Sequence, residues 1–290
     1  MPEVTFKDGG VALLRNLTPE DIPVAEKLRK IARWNQTPRD WKRLISFSPE
    51  GCFALELDGE LVGTATTTIY AGKVAWIGMM LIDPDVRGKG LGRSLLTTCI
   101  DYLQDRRIPS IRLDATPMGE PLYRSLGFEG YQQIFRMRGR TSKSALPEGI
   151  RKARPADVAE IARLDKKAFG CDRSPVIQAL VEDFPEKTLV ACGKNGISGT
   201  ILGREGARAF QIGPLVSLDN ETAELLLRAA LGTASGDCVV DVPDGSTTCK
   251  AFLEGAGFTV ERPFSRMFLG KSAPREKWGM YQIIHCPELG

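Results

Sequence analysis

Hydrophobic and polar positions follow two periods along this chain. Between Cys52 and Leu57, Phe53, Leu55 and Leu57 fall on every second residue, the spacing of a strand with one buried face. Asp58-Gly59 is a two-residue hairpin turn into a further strand from Glu60 to Tyr70. Ala71-Gly72 turns again into the apolar run Val74 to Ile82, which is too continuous for a surface strand and predicts buried sheet. Beyond it, Leu91, Leu95, Leu96, Cys99, Ile100 and Leu103 recur at a 3.6-residue period and predict a helix with one buried face. A helical region from Pro19 to about Leu44 precedes the strands. Ser110 to Thr116 predicts another strand, then a short helix carrying Tyr123, then a last strand from Tyr131 to Arg138. Helices, an antiparallel meander and a strand–helix–strand unit make a mixed α/β order.

The pattern then repeats. Arg15, Pro19, Asp21 and Ile22 are matched in spacing by Arg151, Pro155, Asp157 and Val158, and in both places the Pro and Asp open a helix, the second running from Ala156 to Phe169. Leu61-Val62-Gly63-Thr64 is echoed by Ile197-Ser198-Gly199-Thr200. Gly127-Phe128 with Arg136-Met137 is echoed by Gly257-Phe258 with Arg266-Met267. Three echoes in one order predict two copies of one fold, over 1–140 and 149–290, joined by the Ser-, Thr-, Lys-, Pro- and Gly-bearing stretch Gly139 to Gly149.

Composition narrows the class. The 290 residues suffice for two domains, and 42% hydrophobic with 26% charged content is that of a folded globular protein. A formal charge of +3 gives no case for a nucleic-acid partner. No apolar run approaches the about 20 residues that span a bilayer, so no membrane association is expected. Seven cysteines without a Cys-x-x-Cys pair suit reduced thiols in a cytoplasmic protein. The single histidine, His285, rules out histidine metal clusters, and no metal is expected.

Chemistry enters at Arg87-Gly88-Lys89-Gly90-Leu91-Gly92, between the apolar run and the long helix. Glycines at a strand-to-helix junction leave backbone N–H groups bare, and the positive end of the helix dipole adds to their pull on an anion. Arg87, Lys89 and Arg93 add charge there. A Walker-type loop needs Gly, four spacers and Gly-Lys-Ser/Thr, which these residues lack. A dinucleotide fingerprint needs a third glycine where Arg93 stands. What remains is Arg-x-x-Gly-x-Gly, met by Arg87, Gly90 and Gly92. In its wider context, Asp83-Pro84-Asp85-Val86 ahead of it and Leu122-Tyr123-Arg124-Ser125-Leu126-Gly127-Phe128 some thirty residues on, the chain resembles the GNAT N-acetyltransferase superfamily, in its tandem two-domain form. That resemblance implies two tandem GNAT folds, each a mixed, mostly antiparallel sheet flanked by helices. It also implies acetyl-CoA as co-substrate and transfer of an acetyl group to a primary amine, by direct attack in a ternary complex.

Residue by residue, the resemblance puts the CoA pyrophosphate on the amides from Gly88 to Arg93 (Gly88, Lys89, Gly90, Leu91, Gly92, Arg93), with Arg87 closing the loop. It lays the pantetheine arm and thioester oxygen along the backbone of Leu81 and Ile82. Tyr123, four residues before Gly127-Phe128, stands where the family keeps a general acid, and a phenol of pKa about 10 matches a departing thiolate of about 8.5. A tyrosine there could instead only pack beneath the arm. The strand residues Trp76 to Met80 carry no carboxylate, so the base is open between Asp114, Glu120 and a chain of water, Asp114 also being suited to structural hydrogen bonding. The asparagine that many relatives keep about seven residues before the tyrosine is absent, with Thr116 near its place. The acceptor pocket is expected at the first helices and their loop, where Trp34 and Asn35 resemble a pair in tandem relatives.

The second copy departs from the motif. Phe210 to Val216 runs into Ser217-Leu218-Asp219-Asn220-Glu221-Thr222, with neither arginine nor glycine, and Asp219 and Glu221 would repel a pyrophosphate. Leu253 stands where the tyrosine would be. A degenerate, non-catalytic copy is expected, one that could shape the acceptor site, dimerise or bind a regulator, so a homodimer stays open. Trp278, Tyr281 and His285 either complete a final strand or cover a pocket. Two functions follow: an acetyl-CoA-dependent N-acetyltransferase acting on an unidentified small molecule or protein amine, and a non-catalytic acyl-CoA sensor.

Overall fold

Each copy opens with an arginine that closes on an aspartate six residues later. Arg15 grips Asp21 through both Nη atoms at 2.7 and 2.8 Å, and Arg151 grips Asp157 at 2.6 and 3.0 Å. Asp21 and Asp157 in turn accept the backbone N–H three residues back, from Thr18 and Arg154, and so fix the helix start. The echo in the sequence is thus a physical device used twice.

A computed structural model describes residues 3–5, 10–193, 196–271 and 276–290. The first copy runs β1 (Glu3–Thr5), β2 (Val11–Asn16), α1 (Ile22–Ile31), α2 (Pro38–Phe47), β3 (Cys52–Leu57), β4 (Glu60–Tyr70), β5 (Val74–Ile82), α3 (Leu91–Asp105), β6 (Ser110–Ala115), α4 (Glu120–Ser125) and β7 (Glu129–Thr141). The second runs β8 (Ile150–Lys152), α5 (Val158–Phe169), α6 (Ser174–Asp183), β9 (Leu189–Gly193), β10 (Gly196–Arg204), β11 (Phe210–Ser217), α7 (Asn220–Leu231), β12 (Gly236–Pro243), α8 (Thr247–Gly255), β13 (Thr259–Gly270) and β14 (Tyr281–Ile283). The helical region expected from Pro19 is two helices, because Thr37 and Asp40 form a second capping box ahead of Pro38. The stretch expected as a linker starts later than Gly139, since β7 continues through Thr141. Among the described residues no helix is long and apolar enough to cross a membrane.

The fold is mixed α/β, with mostly antiparallel strands. Packing divides it into two compact units, one of 1–113, 268–271 and 289, the other of 114–267, 272–288 and 290. In the first, β2 to β5 pair antiparallel in sequence order, and β6 lies parallel to β5 from Val74–Ser110 to Trp76–Arg112. The α3 face expected from the sequence is the one buried: Leu91, Leu95, Leu96, Cys99, Ile100 and Leu103. Each such burial contributes about 1.5–3 kcal/mol.

In the second unit β8 to β11 form an antiparallel meander, and β12 lies parallel to β11 from Phe210–Cys238 to Ile212–Val240. Its other neighbour is β7, the last strand of the first copy, paired antiparallel over eight residues from Thr141–Gly236 to Ile134–Pro243. This is why packing places 114–141 with the second unit although the repeat assigns them to the first copy. Two buried ion pairs within this unit join residues of the two copies. Arg136 of the first copy binds Asp241 of the second at 2.8 and 2.7 Å, and Arg266 of the second binds Asp114 of the first at 2.8 Å twice.

Candidate active site

The glycine loop follows β5 in the first unit. Pro84–Val86 makes one 3-10 turn, with Asp83 Oδ1 accepting the Asp85 N–H at 3.0 Å. Arg87 Nε then donates to the Ile82 carbonyl at 3.0 Å and draws the loop back against the strand end. Gly88 and Gly90 adopt φ of 80° and 96°, the left-handed region that disfavours a side chain. An added Cβ would meet nothing at either position, so the backbone conformation and not crowding calls for glycine. Gly90 is the N-cap of α3 and supplies no side-chain oxygen to its first amides. The opening turn of α3 therefore presents N–H groups without a side-chain cap, beside Arg87, Lys89 and Arg93. Such an arrangement is chemically suited to an anion.

A feature the sequence reading missed lies just upstream. The β4–β5 register passes from Thr64–Leu81 to Thr66–Gly78, so β5 carries a bulge at Met79 and Met80. Met79 takes φ 48°, uncommon for a residue with a side chain, and Thr64 Oγ1 donates to its carbonyl at 2.8 Å. Bulges re-aim groups at functional sites. The lone Gly78 inside an apolar strand run was the available signal. Leu81 is buried and Ile82 half-buried at the end of this strand.

The acceptor candidates are braced from below. Arg29 pairs with Glu26 at 2.9 Å and donates to the Trp34 carbonyl at 2.9 Å, and Trp41 Nε1 donates to Glu26 at 3.0 Å. Trp41 is fully buried and Trp34 half-buried. Asn35 lies in the loop between α1 and α2, as the sequence suggested, and is buried there.

Tyr123 and Asp114 belong to the second unit. The Tyr123 ring stands edge-on to Phe128, centroids 6.1 Å apart. A Cβ on Gly119 would come within 2.9 Å of the ring, so the close approach of this loop needs glycine. Glu120 is held by Arg124 at 2.6 and 2.8 Å. Asp114 is not a free base. Both its oxygens accept from Arg266, whose remaining Nη1 donates to Glu276 at 3.1 Å, and the side chains of all three are fully buried. Burial pushes the Asp114 carboxyl up to about 6, against the pull of Arg266. A carboxylate with both oxygens taken and no exposure is an ion-pair partner, which corrects the expectation that it abstracts a proton. Nothing in the sequence marked Arg266 and Glu276 as its partners, since they lie over 150 residues downstream.

Known proteins resemble this chain along most of its length. A model described as the acetyltransferase (GNAT) family matches residues 20–128, and one described as an acetyltransferase (GNAT) domain matches 161–282. Holothin acyltransferase of Pseudoalteromonas sp. (strain SANK 73390) is 25% identical over 262 residues, covering 89% of this chain and 87% of the relative. A putative acetyltransferase from Pyrococcus horikoshii superposes with a TM-score of 0.82 at 23% identity, over 96% of both chains. A tandem GNAT protein from the clavulanic acid biosynthesis pathway superposes with a TM-score of 0.60 at 13% identity, over 90% of this chain and 99% of that one. The two structural likenesses speak to the fold.

Proposed function

The chain belongs to the GNAT acetyltransferase family, and on that premise we propose that its first copy transfers an acetyl group from acetyl-CoA to a primary amine. The observation that carries the reading is the anion cradle: positive φ at Gly88 and Gly90, a helix start with no side-chain cap, and three cations beside it. The amides from Gly88 to Gly92 hold the pyrophosphate, the Arg93 N–H being taken by the Gly90 carbonyl at 3.0 Å, so that Arg93 acts through its side-chain charge. The bulged end of β5, from Met79 to Ile82, offers backbone donors to the pantetheine amides and to the oxygen of the thioester. Donors fixed in place before charge develops on that oxygen are a large catalytic term.

In the proposed reaction the amine lone pair attacks the thioester carbon, the C–S bond breaks, and Tyr123 gives its proton to the departing thiolate. The proton lost by the amine goes to water or to Glu120, since Asp114 is sealed by Arg266 whereas Arg124 engages only Oε1 of Glu120. The acceptor is an amine-bearing small molecule or protein, with Trp34 and Asn35 as its candidate contacts. The 25% identity to a protein named as an acyltransferase supports acyl transfer as the reaction class.

Arg87→Ala should weaken acetyl-CoA binding about 10- to 100-fold, the worth of one charge-assisted hydrogen bond with its loop. Titration calorimetry on the purified chain measures this, and an unchanged affinity would remove the loop assignment. The second reading, an acyl-CoA sensor without turnover, draws on the lack of a carboxylate on the strand residues Trp76 to Met80. Release of free thiol from acetyl-CoA across a panel of amines separates the two readings.

A further inference from the structure

We propose that the cofactor groove of the second copy is a peptide-binding site, permanently occupied by residues 280–290 of the same chain. β11 and β12 pair only as far as Ile212 and Val240, though both strands continue. Into the gap comes β14, antiparallel to β11, with Ile283 opposite Leu215 and Tyr281 opposite Val216. Ser217 N–H donates to the Met280 carbonyl at 3.0 Å, and on the other side Ile284 N–H donates to the Asp241 carbonyl of β12 at 3.1 Å. The segment thus joins the two strands that have parted.

The repeat shows which position this is. Gly63-Thr64 corresponds to Gly199-Thr200, and their partners across the sheet are Leu81 opposite Thr64 and Val216 opposite Thr200. Leu215 to Ser217 therefore correspond to Met80 to Ile82, the strand end proposed above to hold the acyl-CoA arm. The inference rests on that reading for its account of what the segment replaces.

Two changes, and a glycine that both copies keep (Gly78 and Gly213), suit a peptide and exclude the cofactor. Pro214 stands where Met79 stands in the first copy, so the bulge has lost that N–H donor. Gly213 beside it has φ 137°, and a Cβ there would overlap the Ile284 carbonyl oxygen, so bulge and segment are fitted to each other. At the start of α7, Asp219 accepts the Thr222 N–H at 2.7 Å, a carboxylate sitting where a phosphate would bind.

The segment is also anchored from its far side. Tyr281 is fully buried; its hydroxyl donates to the Gly290 carbonyl at 2.8 Å and accepts from Arg173 Nη2 at 2.9 Å. Arg173 is held in turn by both oxygens of Asp165 at 2.8 Å. The ring stands edge-on to Phe169 and stacks on Trp278, each 5.9 Å between centroids. A strand pairing on both sides with a buried aromatic anchor is the pattern by which sheets take up peptides.

Hydrogen exchange on the intact chain tests the seal, with and without saturating acetyl-CoA. The Ile284 and Ser217 amides should exchange slowly and at the same rate in both conditions. In Tyr281→Phe, which loses the hydroxyl's bonds to Gly290, Arg173 and the His285 N–H while Arg173 keeps its own bond to the Gly290 carbonyl, the Ile284 amide should exchange about tenfold faster. Calorimetry on the wild-type chain should give one equivalent of acetyl-CoA. Fast exchange at Ile284, or exchange that quickens on adding acetyl-CoA, would overturn the proposal, since the segment would then be a displaceable gate. Two equivalents of bound acetyl-CoA would overturn it as well. Failure of the chain to bind any acetyl-CoA would sink the proposed function, while the exchange rates would still decide whether the segment is sealed.

Discussion

Asp241→Ala should cost about 3–5 kcal/mol of unfolding free energy, read from urea titrations of the intact chain. Asp241 lies directly opposite Arg136 in the β7–β12 register, and the two side chains are 0% and 4% exposed. Removing the carboxylate strands a guanidinium that burial alone disfavours but that cannot discharge in water's absence. It also takes the acceptor from Gln211 Nε2, at 3.0 Å. The loss comes from leaving a charge unpaired, so Arg136→Met with Asp241→Leu should recover most of it. A loss below about 1 kcal/mol in the single variant would show that water reaches the pair and that it does not hold β7.

The same pair marks where the sequence stopped being informative. Arg136-Met137 and Arg266-Met267 were visible as an echo, and the pairs Arg15 with Asp21 and Arg151 with Asp157, each bridging a strand end and a helix start, could be read because each pair lies within six residues. The α3 face was legible for the same reason, since 3.6-residue periodicity is local. The partner of a strand arginine is not local. Asp114 and Arg266 are 152 residues apart, and a strand satisfies its ladder equally well beside either copy's sheet, so the pairing leaves no mark on periodicity. For the same reason Asp114 read as a candidate base. The left-handed turns at Gly88 and Gly90 were legible because glycine spacing reports backbone conformation directly, whereas the Met79 bulge left only Gly78 as a signal, because methionine carries no preference for positive φ. The segment around Tyr281 was readable as a strand or a cover, and it forms strand β14.

Tyr123→Phe should lower kcat about 10²-fold while leaving acetyl-CoA affinity within about twofold, measured by thiol release and calorimetry on the same preparation. The fall corresponds to about 2.7 kcal/mol of transition-state stabilisation. The substitution removes only an oxygen. The ring keeps its edge contact with Phe128 and its place over Gly119, so α4 and its loop should keep their shape. If the hydroxyl protonates the thiolate, its loss acts after the amine has attacked, and cofactor binding has no reason to change. A ring that only packs beneath the arm predicts the reverse, since phenylalanine packs as well as tyrosine and kcat would stay within about threefold. The pH profile adds an independent readout. A phenol acting as acid limits kcat on the alkaline side, where it ionises, and Tyr123→Phe should abolish that limb as well as lower the plateau. An alkaline limb that survives the substitution would assign it to another group and return the acid role to water.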